Sequence, residues 1–600
     1  MPDGIRLAID VSLPKDLPSG VRIPAVLYQT RYWRYPEIRF PFNLFVSAGT
    51  VQGLLGRMRE AVVARGYAWI DVDVRGSGAS FENRPWDYAP AEIQDGSDVA
   101  NWIVRQPWSN GRVATAGSSY TGSTAEFALV NRNPVIQATL NLSSEYDQYT
   151  DILFPGGIQL SFYLDGWGAT TKALDQNRVP DPSWQEKLAV GGVAPVDRDQ
   201  GKTLLAQAVR DHGANYDFRE LKRFTFRDDF LLDLGDSARQ ETRTDAYRWL
   251  AAKFGPDFRS LGIDLASQHS YRDDIIASSV PYYGIAGWFD GTYANAMIRR
   301  FKTFHRPGVR LLIGPWDHHQ FSVSPFTGGG PTRFDLPGEI LKFLDGTVGG
   351  IPAALEPDRP VHYYTLGAEV WRAADTWPPA AEVTGFYFAP QGGLTAVPPS
   401  AKADSDSYRV DYSAGTGRDS RWDTVNGRVL RTPYPDRREQ DRKLLVYSTE
   451  PLAQDCEVTG HPIAHLVVSS TAVDGAFFVY LEDVWPDGRV TYVTEGELRA
   501  LHRKNRPEQA LYWTPGPYHT FRRADAVPLV PGESVELAFE LLPTSYLFQR
   551  GHRIRVAVAG ADRDHFTPIP ADRTGPPTIH VFRDGRRASR VELPIVDRPR

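Results

Sequence analysis

Residues 112–129 read Arg112-Val-Ala-Thr-Ala-Gly117-Ser118-Ser119-Tyr120-Thr121-Gly122-Ser-Thr-Ala-Glu-Phe-Ala-Leu129. A short apolar strand runs into small residues and then into a helix-forming segment, which is the arrangement of a nucleophile elbow in an α/β sheet. Small residues are required because a bulky side chain would clash across so tight a turn. The N–H groups that begin the following helix would stabilise an oxyanion developing near Ser119. The stretch therefore predicts a nucleophilic serine at position 119.

The segments around this elbow alternate between strand and helix patterns. Strands are predicted at 23–29, 67–74, 112–116, 280–286 and 309–313, and helices at 54–65 and 95–105. Such alternation favours a mostly parallel sheet that is covered by helices on both faces. Between them, residues 145–275 mix aromatic and charged residues at helical spacing, which indicates a helical insertion. After about residue 350, apolar residues alternate with polar ones, which is typical of an antiparallel sandwich.

The composition limits the cellular compartments and the kinds of binding partner to be expected. A chain of 600 residues is too long for one hydrophobic core, so two or three domains are expected. The net charge of −6 argues against nucleic acid and anionic membranes as partners. The single cysteine, Cys456, excludes an intramolecular disulfide framework and fits a reducing compartment. We see no signal-peptide pattern and no apolar run of about 18 residues, so a cytoplasmic location without a membrane span is expected.

A nucleophilic serine needs a base, and the base needs an orienting carboxylate. In hydrolases with a nucleophile elbow the chain order is serine, then acid, then histidine. Asp290 follows one predicted strand in Gly287-Trp-Phe-Asp290-Gly291, and His318 follows the next in Gly314-Pro-Trp-Asp-His318-His319. Both residues therefore lie where the carboxyl ends of parallel strands meet. On local sequence alone, Ser119 could still be a turn residue and Asp290 a helix cap.

Two other motifs admit a second interpretation. His318, His319 and Asp317 could suggest a metal site, but adjacent loop positions rarely bind one ion together, so we expect no metal. The turn Arg75-Gly-Ser-Gly78 resembles part of a phosphate loop but lacks its Gly-Lys-Ser/Thr ending, so a structural turn is expected. No cofactor is predicted.

The three catalytic segments together resemble those of the cocaine esterase and X-Pro dipeptidyl-peptidase-like hydrolases, a group that includes α-amino-acid ester hydrolases. Further matches lie at Asp3-Gly-Ile-Arg-Leu, at Asp73-Val-Arg-Gly-Ser-Gly78, and from Trp102 to Val113. Others are Leu366 to Pro379 and Phe548 to Arg555, which resemble parts of the group's C-terminal jelly-roll. The resemblance thus extends over nearly the whole chain.

The resemblance assigns a role to each site residue. It implies that Ser119 is the nucleophile, His318 the general base and acid, and Asp290 the orienting carboxylate. It places the oxyanion hole at the backbone N–H of Tyr120 and at the hydroxyl of Tyr32, with Tyr28 and Tyr35 as competitors. It also implies that Trp167 lines the substrate pocket. Two positions depart from the group's pattern, since Arg31 stands where proline is usual and Thr292 where cocaine esterase sometimes has an aromatic residue.

The same resemblance implies the domain organisation and the reaction. The predicted fold class is α/β: an α/β-hydrolase core at 1–144 and 276–348, a helical cap at 145–275, and a C-terminal β jelly-roll at 349–600. The expected activity is hydrolysis of a small-molecule ester or amide through an acyl-enzyme, and a homo-oligomer is allowed. The alternative is an X-Pro dipeptidyl-peptidase or an α-amino-acid ester hydrolase or acyltransferase, for which Glu145, Asp147 and Asp151 are candidates to bind a free amine. A non-catalytic binding protein is the third alternative.

Overall fold

The strand that precedes Ser119 lies near the centre of a nine-stranded sheet in the computed structural model. The model describes residues 1–47, 49, 52–181, 183–229, 240–328, 330–331, 334–355, 358–427, 435–570 and 575–597. In spatial order the strands of this sheet are Ile9–Ser12, Ala68–Asp73, Ile23–Thr30, Ser109–Ser118, Ile136–Leu142, Tyr282–Gly287, Val309–Gly314, Val361–Thr365 and Val370–Ala374. The two edge strands are antiparallel to their neighbours and the others run parallel. Parallel strands end at one edge, so the residues that follow Ser118, Gly287 and Gly314 meet there.

Helices cover both faces of this sheet because its strands are apolar on both sides. Val26 and Leu140 pack with the helices Leu54–Ala64 and Leu336–Gly346. On the opposite face, Leu27 packs in the cluster that contains the helices Pro90–Val104, Tyr120–Phe127 and Tyr293–Phe304. This arrangement confirms the predicted α/β core.

A mostly helical insertion separates the strands Ile136–Leu142 and Tyr282–Gly287. Its longer helices are Ser161–Asp175, Trp184–Ala189, Thr203–Asp211, Gln240–Phe254 and Arg272–Ala277. Short helical turns lie at Tyr149–Leu153, Pro155–Gly157, His212–Ala214, Phe218–Arg223, Phe258–Ala266 and Gln268–Tyr271. The helical pattern did not indicate the strand Val190–Val193, which pairs antiparallel with Pro36–Ile38. Both strands are too short to show a periodicity of their own.

The C-terminal part forms a second sheet of 14 strands, in which all pairings but one are antiparallel. Its strands are Glu382–Ala389, Gly393–Thr395, Ser405–Arg409, Leu445–Ser448, Cys456–Gly460, Ile463–Ser470, Ala476–Val484, Val490–Arg499, Val535–Glu540, Thr544–Phe548, Arg553–Ala559, Thr578–Asp584, Arg587–Ala588 and Arg590–Val596. The helices Arg421–Thr424 and Arg438–Asp441 lie in its connections. Leu537 and Phe539 are buried at alternate positions, as the sequence pattern predicts.

Short elements complete the chain. The strands Phe321–Ser322 and Gly330–Pro331 form a small hairpin. Single turns of helix lie at Phe42–Leu44, Ala128–Asn131, Pro352–Leu355, Pro390–Gly392, Ala500–His502, Pro507–Gln509 and Arg523–Asp525. At the turn predicted to be structural, Arg75 pairs with Asp95 at 2.7 Å and with Asp3 at 2.8 Å. Cys456 is half-buried, and burial raises the pKa of its thiol to about 11.

The core sheet extends past its predicted end. The sequence places the domain boundary at residue 348, yet Val361–Thr365 pairs parallel with Val309–Gly314 and Val370–Ala374 completes the edge. Val361–Thr365 lies next to, and Val370–Ala374 within, the residues 366–379 that resemble the entry to the C-terminal domain, so the resemblance assigns both strands to that domain. Among the described residues, no helix is both long and apolar enough to cross a bilayer.

Candidate active site

Ser119 occupies a strained position between a core strand and a core helix. Its backbone has φ 61° and ψ −130°, a conformation that residues other than glycine rarely adopt. A Cβ on Gly117 would lie 2.1 Å from the Thr121 carbonyl oxygen, and one on Gly122 would lie 2.5 Å from the Asn141 side chain. Only glycine therefore fits these two positions. The side chain of Ser119 is partly exposed, as a nucleophile requires.

Asp290 and His318 form a hydrogen-bonded pair at the same edge of the sheet. His318 Nδ1 lies 2.7 Å from Asp290 Oδ1, and Asp290 is fully buried. Burial lowers the pKa of His318, but the charge of Asp290 and its hydrogen bond outweigh burial, so the pKa is raised above the ordinary value. This pairing fixes Nδ1 as the protonated nitrogen and leaves Nε2 to accept a proton.

Tyr32 connects Ser119 to Trp167. The Trp167 indole N–H donates to the Tyr32 hydroxyl at 3.1 Å. Burial raises the pKa of Tyr32, while hydrogen bonds to Trp167 and Ser119 oppose the increase. Because Trp167 occupies one lone pair of the hydroxyl, the O–H of Tyr32 remains available as a donor. The structure thus brings Ser119, Tyr32 and Trp167 together.

The competing tyrosines lie elsewhere. The Tyr28 hydroxyl hydrogen-bonds to Thr121, and its ring packs against Trp69 with centroids 5.6 Å apart. Tyr35 is 38% exposed. Tyr32 is therefore the tyrosine of the three that meets Ser119.

Tyr120 begins the helix that follows the nucleophile. The first N–H groups of a helix have no acceptor within it, so the Tyr120 N–H can serve an oxyanion. Its side chain points away from that task, since the hydroxyl donates to Glu92 at 2.5 Å. The ring stacks on Tyr88 with centroids 4.7 Å apart.

Two residues near the site, one aromatic and one basic, are not among the predicted site residues. The Tyr293 ring packs against His318 with centroids 5.4 Å apart. Arg31 is 2% exposed, lies 4.7 Å from the Trp167 ring centre, and pairs with Asp87 at 2.7 Å. The sequence could have pointed to Arg31, because it replaces the usual proline. Nothing in the sequence around Tyr293, two residues after Gly291, marks it as a site residue.

The three carboxylates proposed for binding an amine differ in their surroundings. Asp147 contacts Arg227 at 2.6 Å and Asp151 contacts Arg299 at 3.1 Å, so buried arginines neutralise both. Glu145 instead receives its side-chain hydrogen bonds from neutral groups, while Arg300 donates to its backbone carbonyl. Its Oε1 accepts hydrogen bonds from three side chains, those of Tyr88 at 3.0 Å, Ser123 at 2.8 Å and Gln148 at 2.8 Å. Burial raises the pKa of Glu145.

Metal-type side chains cluster at one place in the described part of the chain, where Asp147, Asp264 and His269 converge. Arg227 lies among them and donates to Asp147 at 2.6 Å and to Asp264 at 2.8 Å. A guanidinium already supplies the positive charge, so these residues do not fit a metal ion. His319 lies beside His318 with ring centroids 5.9 Å apart and hydrogen-bonds to the Gly427 backbone; burial and the charge of His318 lower its pKa to about 4.

Thr292 also takes a structural contact. Its hydroxyl donates to the Asp151 carbonyl at 2.5 Å, and the residue is buried. The small side chain at this position therefore joins the helical insertion to the loop of Asp290.

Family models match both parts of the chain. Residues 3–320 match the X-Pro dipeptidyl-peptidase (S15 family) model, and residues 353–592 match the model of the X-Pro dipeptidyl-peptidase C-terminal non-catalytic domain. A Mycobacterium bovis protein named "putative serine esterase" is 44% identical over 601 residues, covering 99% of this chain and 94% of that protein. Cocaine esterase of a Rhodococcus species is 27% identical over 602 residues, covering 94% of this chain and 89% of its own.

Solved structures share the fold. An aminopeptidase from a marine sediment Thaumarchaeota archaeon superposes with a TM-score of 0.70 at 21% identity, covering 100% of this chain and 95% of its own. An α-amino acid ester hydrolase superposes with a TM-score of 0.67 at 21% identity, covering 99% of this chain and 95% of its own. These likenesses confirm the predicted fold class.

Proposed function

Since this chain belongs to the X-Pro dipeptidyl-peptidase (S15) family and is a serine hydrolase, we propose that it hydrolyses uncharged carboxylic esters through an acyl-enzyme on Ser119. The observation that carries the proposal is the contact set of the site. The His318 pair with Asp290 at 2.7 Å supplies a base, and the Tyr32–Trp167 pair at 3.1 Å meets Ser119.

In the first step, His318 Nε2 takes the proton of Ser119 while the hydroxyl oxygen attacks the ester carbonyl carbon. The carbonyl oxygen becomes an oxyanion, which the Tyr120 N–H and the Tyr32 O–H stabilise. The ester C–O bond then breaks, and the leaving alcohol takes the proton from His318. Water releases the acid by the same route, giving its proton to His318 and restoring Ser119.

An uncharged acyl group suits the side chains around Tyr32. Trp167 packs edge-on against Phe218 with centroids 4.3 Å apart and stacks on Tyr163 at 5.9 Å. Buried aromatic walls favour apolar groups and penalise a charged group that finds no partner. Trp167 therefore has two roles in this proposal: it holds the Tyr32 hydroxyl and forms part of the acyl pocket.

The alternative reaction, on substrates with a free amine, needs a carboxylate to pair with the ammonium. Asp147 and Asp151 are already paired with Arg227 and Arg299. Glu145 remains, but burial raises its pKa, which favours the neutral form that does not pair with an ammonium, and three hydrogen bonds already occupy its Oε1. This difference favours ester hydrolysis without an amine requirement over dipeptidyl-peptidase activity.

The test is a substrate panel with matched variants. We expect p-nitrophenyl acetate, butyrate and benzoate to be hydrolysed, Ser119→Ala to abolish hydrolysis, and a fluorophosphonate probe to label the wild type but not this variant. Phenylglycine esters with a free and with an acetylated amine separate the two reactions. A preference for the free amine that Glu145→Gln removes would support the alternative. Unchanged function in Ser119→Ala would instead support a binding protein.

The proposal also covers the fold of the second sheet, the cellular location and the oligomeric state. We propose that the second sheet is a jelly-roll, as its antiparallel pairing allows, and that the protein acts in the cytoplasm, as its single cysteine allows. A homo-oligomer remains a prediction. Sedimentation velocity measures the oligomeric state, and cell fractionation the location.

A further inference from the structure

The side chain of Asp290 is held by few hydrogen bonds. Its Oδ1 contacts His318, while no group among the described residues hydrogen-bonds to its Oδ2. The direction of the carboxylate therefore depends on the backbone of the loop 288–291. On one side this loop is tied to the core sheet, since the N–H groups of Trp288 and Phe289 donate to the carbonyls of Gly314 and Trp316 at 2.9 and 3.0 Å.

The other side of the loop is held by Arg421 of the C-terminal part. The buried guanidinium donates to the carbonyls of Trp288 at 2.6 Å and Gly291 at 3.2 Å, which flank Asp290. The Gly291 N–H donates back to the Arg421 carbonyl at 3.2 Å. The Thr424 hydroxyl donates to the Phe289 carbonyl at 3.3 Å. The short helix Arg421–Thr424 thus satisfies the outward-facing backbone groups of the loop.

This helix is in turn fixed to the second sheet. The Trp422 indole N–H donates to Glu495 at 2.5 Å. His565 contacts Asp423 at 3.1 Å and Asp562 at 3.3 Å. The contact of His319 with the backbone of Gly427 joins the same segment to the histidine loop. Residues 421–427 therefore connect the C-terminal sheet to both loops that carry the acid and the base.

We propose that Arg421 is a positioning residue for the hydrolysis proposed above, holding the loop of Asp290 so that its carboxylate meets His318. The inference rests on that proposed function, because it assigns to Asp290 the orienting role. Arg421 does not touch the reacting atoms. Its planar guanidinium can donate to two carbonyls at once, whereas a lysine ammonium in its place is a single point charge on a flexible stem.

The expected effect is on turnover more than on binding. A displacement of about 1 Å in a catalytic constellation can cost about 100-fold in rate. We expect Arg421→Gln to lower kcat by about 10- to 100-fold with KM changed less than about 3-fold, and Arg421→Lys to fall between this variant and the wild type. A weaker Asp290 contact also reduces the largest of the interactions that raise the pKa of His318, to which the charges of Asp317 and Glu145 add less, so the acid limb of kcat/KM should move to lower pH.

Arg437 provides a matched control. It is as buried as Arg421, donates to Glu482 at 2.6 Å, and lies 4.4 Å from the Tyr480 ring centre. It lines the same small cavity as Phe289, but its hydrogen bond goes to the second sheet and not to the loop of Asp290. Arg437→Gln should lower thermal stability as Arg421→Gln does but leave the acid limb in place. All variants are assayed as full-length proteins at a temperature where circular dichroism shows them folded.

The outcomes separate the two hypotheses. Loss of kcat with a shifted acid limb in Arg421→Gln, partial recovery in Arg421→Lys and an unshifted limb in Arg437→Gln support the inference. Wild-type kcat in the Arg421 variants, or the same pH profile change in the Arg437 variant, would overturn it while Ser119→Ala still abolishes activity. Activity that persists in Ser119→Ala would instead refute the proposed function itself.

Discussion

Replacing Tyr32 by phenylalanine removes one hydroxyl at the point where Ser119, Trp167 and the expected oxyanion meet. The hydroxyl accepts from the Trp167 indole at 3.1 Å, so its own proton is directed elsewhere, and the contact with Ser119 places it beside the reacting carbon. Loss of one oxyanion donor costs about 2.7–4 kcal/mol of transition-state stabilisation. At about 1.4 kcal/mol per factor of ten, we expect kcat of Tyr32→Phe to fall about 100- to 1000-fold.

The binding of the ground-state ester should change little, because the oxyanion exists only in the transition state and its intermediates. We therefore expect KM to remain within about 3-fold of the wild-type value. The substitution also leaves the Trp167 indole without its acceptor, which should lower stability by about 1–2 kcal/mol. The assay is steady-state hydrolysis of p-nitrophenyl esters, with thermal unfolding measured in parallel.

Tyr28→Phe is the matched control. This tyrosine also loses a buried hydroxyl that hydrogen-bonds to Thr121, but that hydroxyl does not meet Ser119. We expect a similar loss of stability and a kcat within about 3-fold of the wild type. Equal kcat for Tyr32→Phe and the wild type would refute the role of Tyr32, and equal losses in both variants would assign the effect to packing.

Further expected outcomes concern turnover, pH and stability. Trp167→Phe keeps the aromatic wall but removes the donor to Tyr32, so kcat should fall about 3- to 10-fold with less effect than Tyr32→Phe, in the same ester assay. Activity requires neutral His318, whose pKa is raised, so kcat/KM should fall as pH decreases and reach half its maximum at a pH above about 6.5. In Asp290→Asn only the charges of Asp317 and Glu145 still oppose burial, so this midpoint should move to lower pH, and kcat should fall about 10⁴-fold, as a pH–rate series measures. Burial lowers the pKa of His565, but its contacts with Asp562 and Asp423 outweigh burial and raise the pKa to about 10. The charged histidine therefore stabilises the fold fully below about pH 6.5, and this stabilisation is lost as the pH rises to about 10. His565→Gln should lower stability by about 3 kcal/mol near pH 6 and flatten the alkaline decrease of the unfolding temperature, and an unchanged alkaline decrease would contradict this.

The site residues that could be predicted from sequence are those that a short local sequence pattern identifies. The backbone strain at Ser119 follows from small residues within a few positions of it, and Asp290 and His318 each follow a strand that its apolar run identifies. Their meeting at one sheet edge then follows from parallel topology. The roles of Tyr32 and Trp167 came only from the resemblance, and their hydrogen bond was not predicted, since no local pattern relates a loop after the second strand to a helix of the insertion.

Contacts between distant segments could not be predicted in this way. Arg421 lies 130 positions after Gly291 and binds backbone carbonyls, which every residue possesses, so neither partner marks the contact in the sequence. The pairing of two later strands with the core sheet was not predicted for a related reason. The strands Val361–Thr365 and Val370–Ala374 carry ordinary strand patterns, and only their pairing with Val309–Gly314 assigns them to the core sheet.

The departure at Arg31 shows how a different residue can give the same rigidity. A proline before Tyr32 would restrict the backbone through its ring. Arg31 instead fixes the chain through its side chain, because its buried guanidinium pairs with Asp87 at 2.7 Å and with Asp175 at 3.5 Å. The same guanidinium lies against the Trp167 ring, so one group holds both the residue before Tyr32 and the indole that donates to Tyr32. The contacts of the Arg31 side chain can thus replace the restriction that a proline ring places on one backbone angle, and the Tyr32 hydroxyl remains beside Ser119.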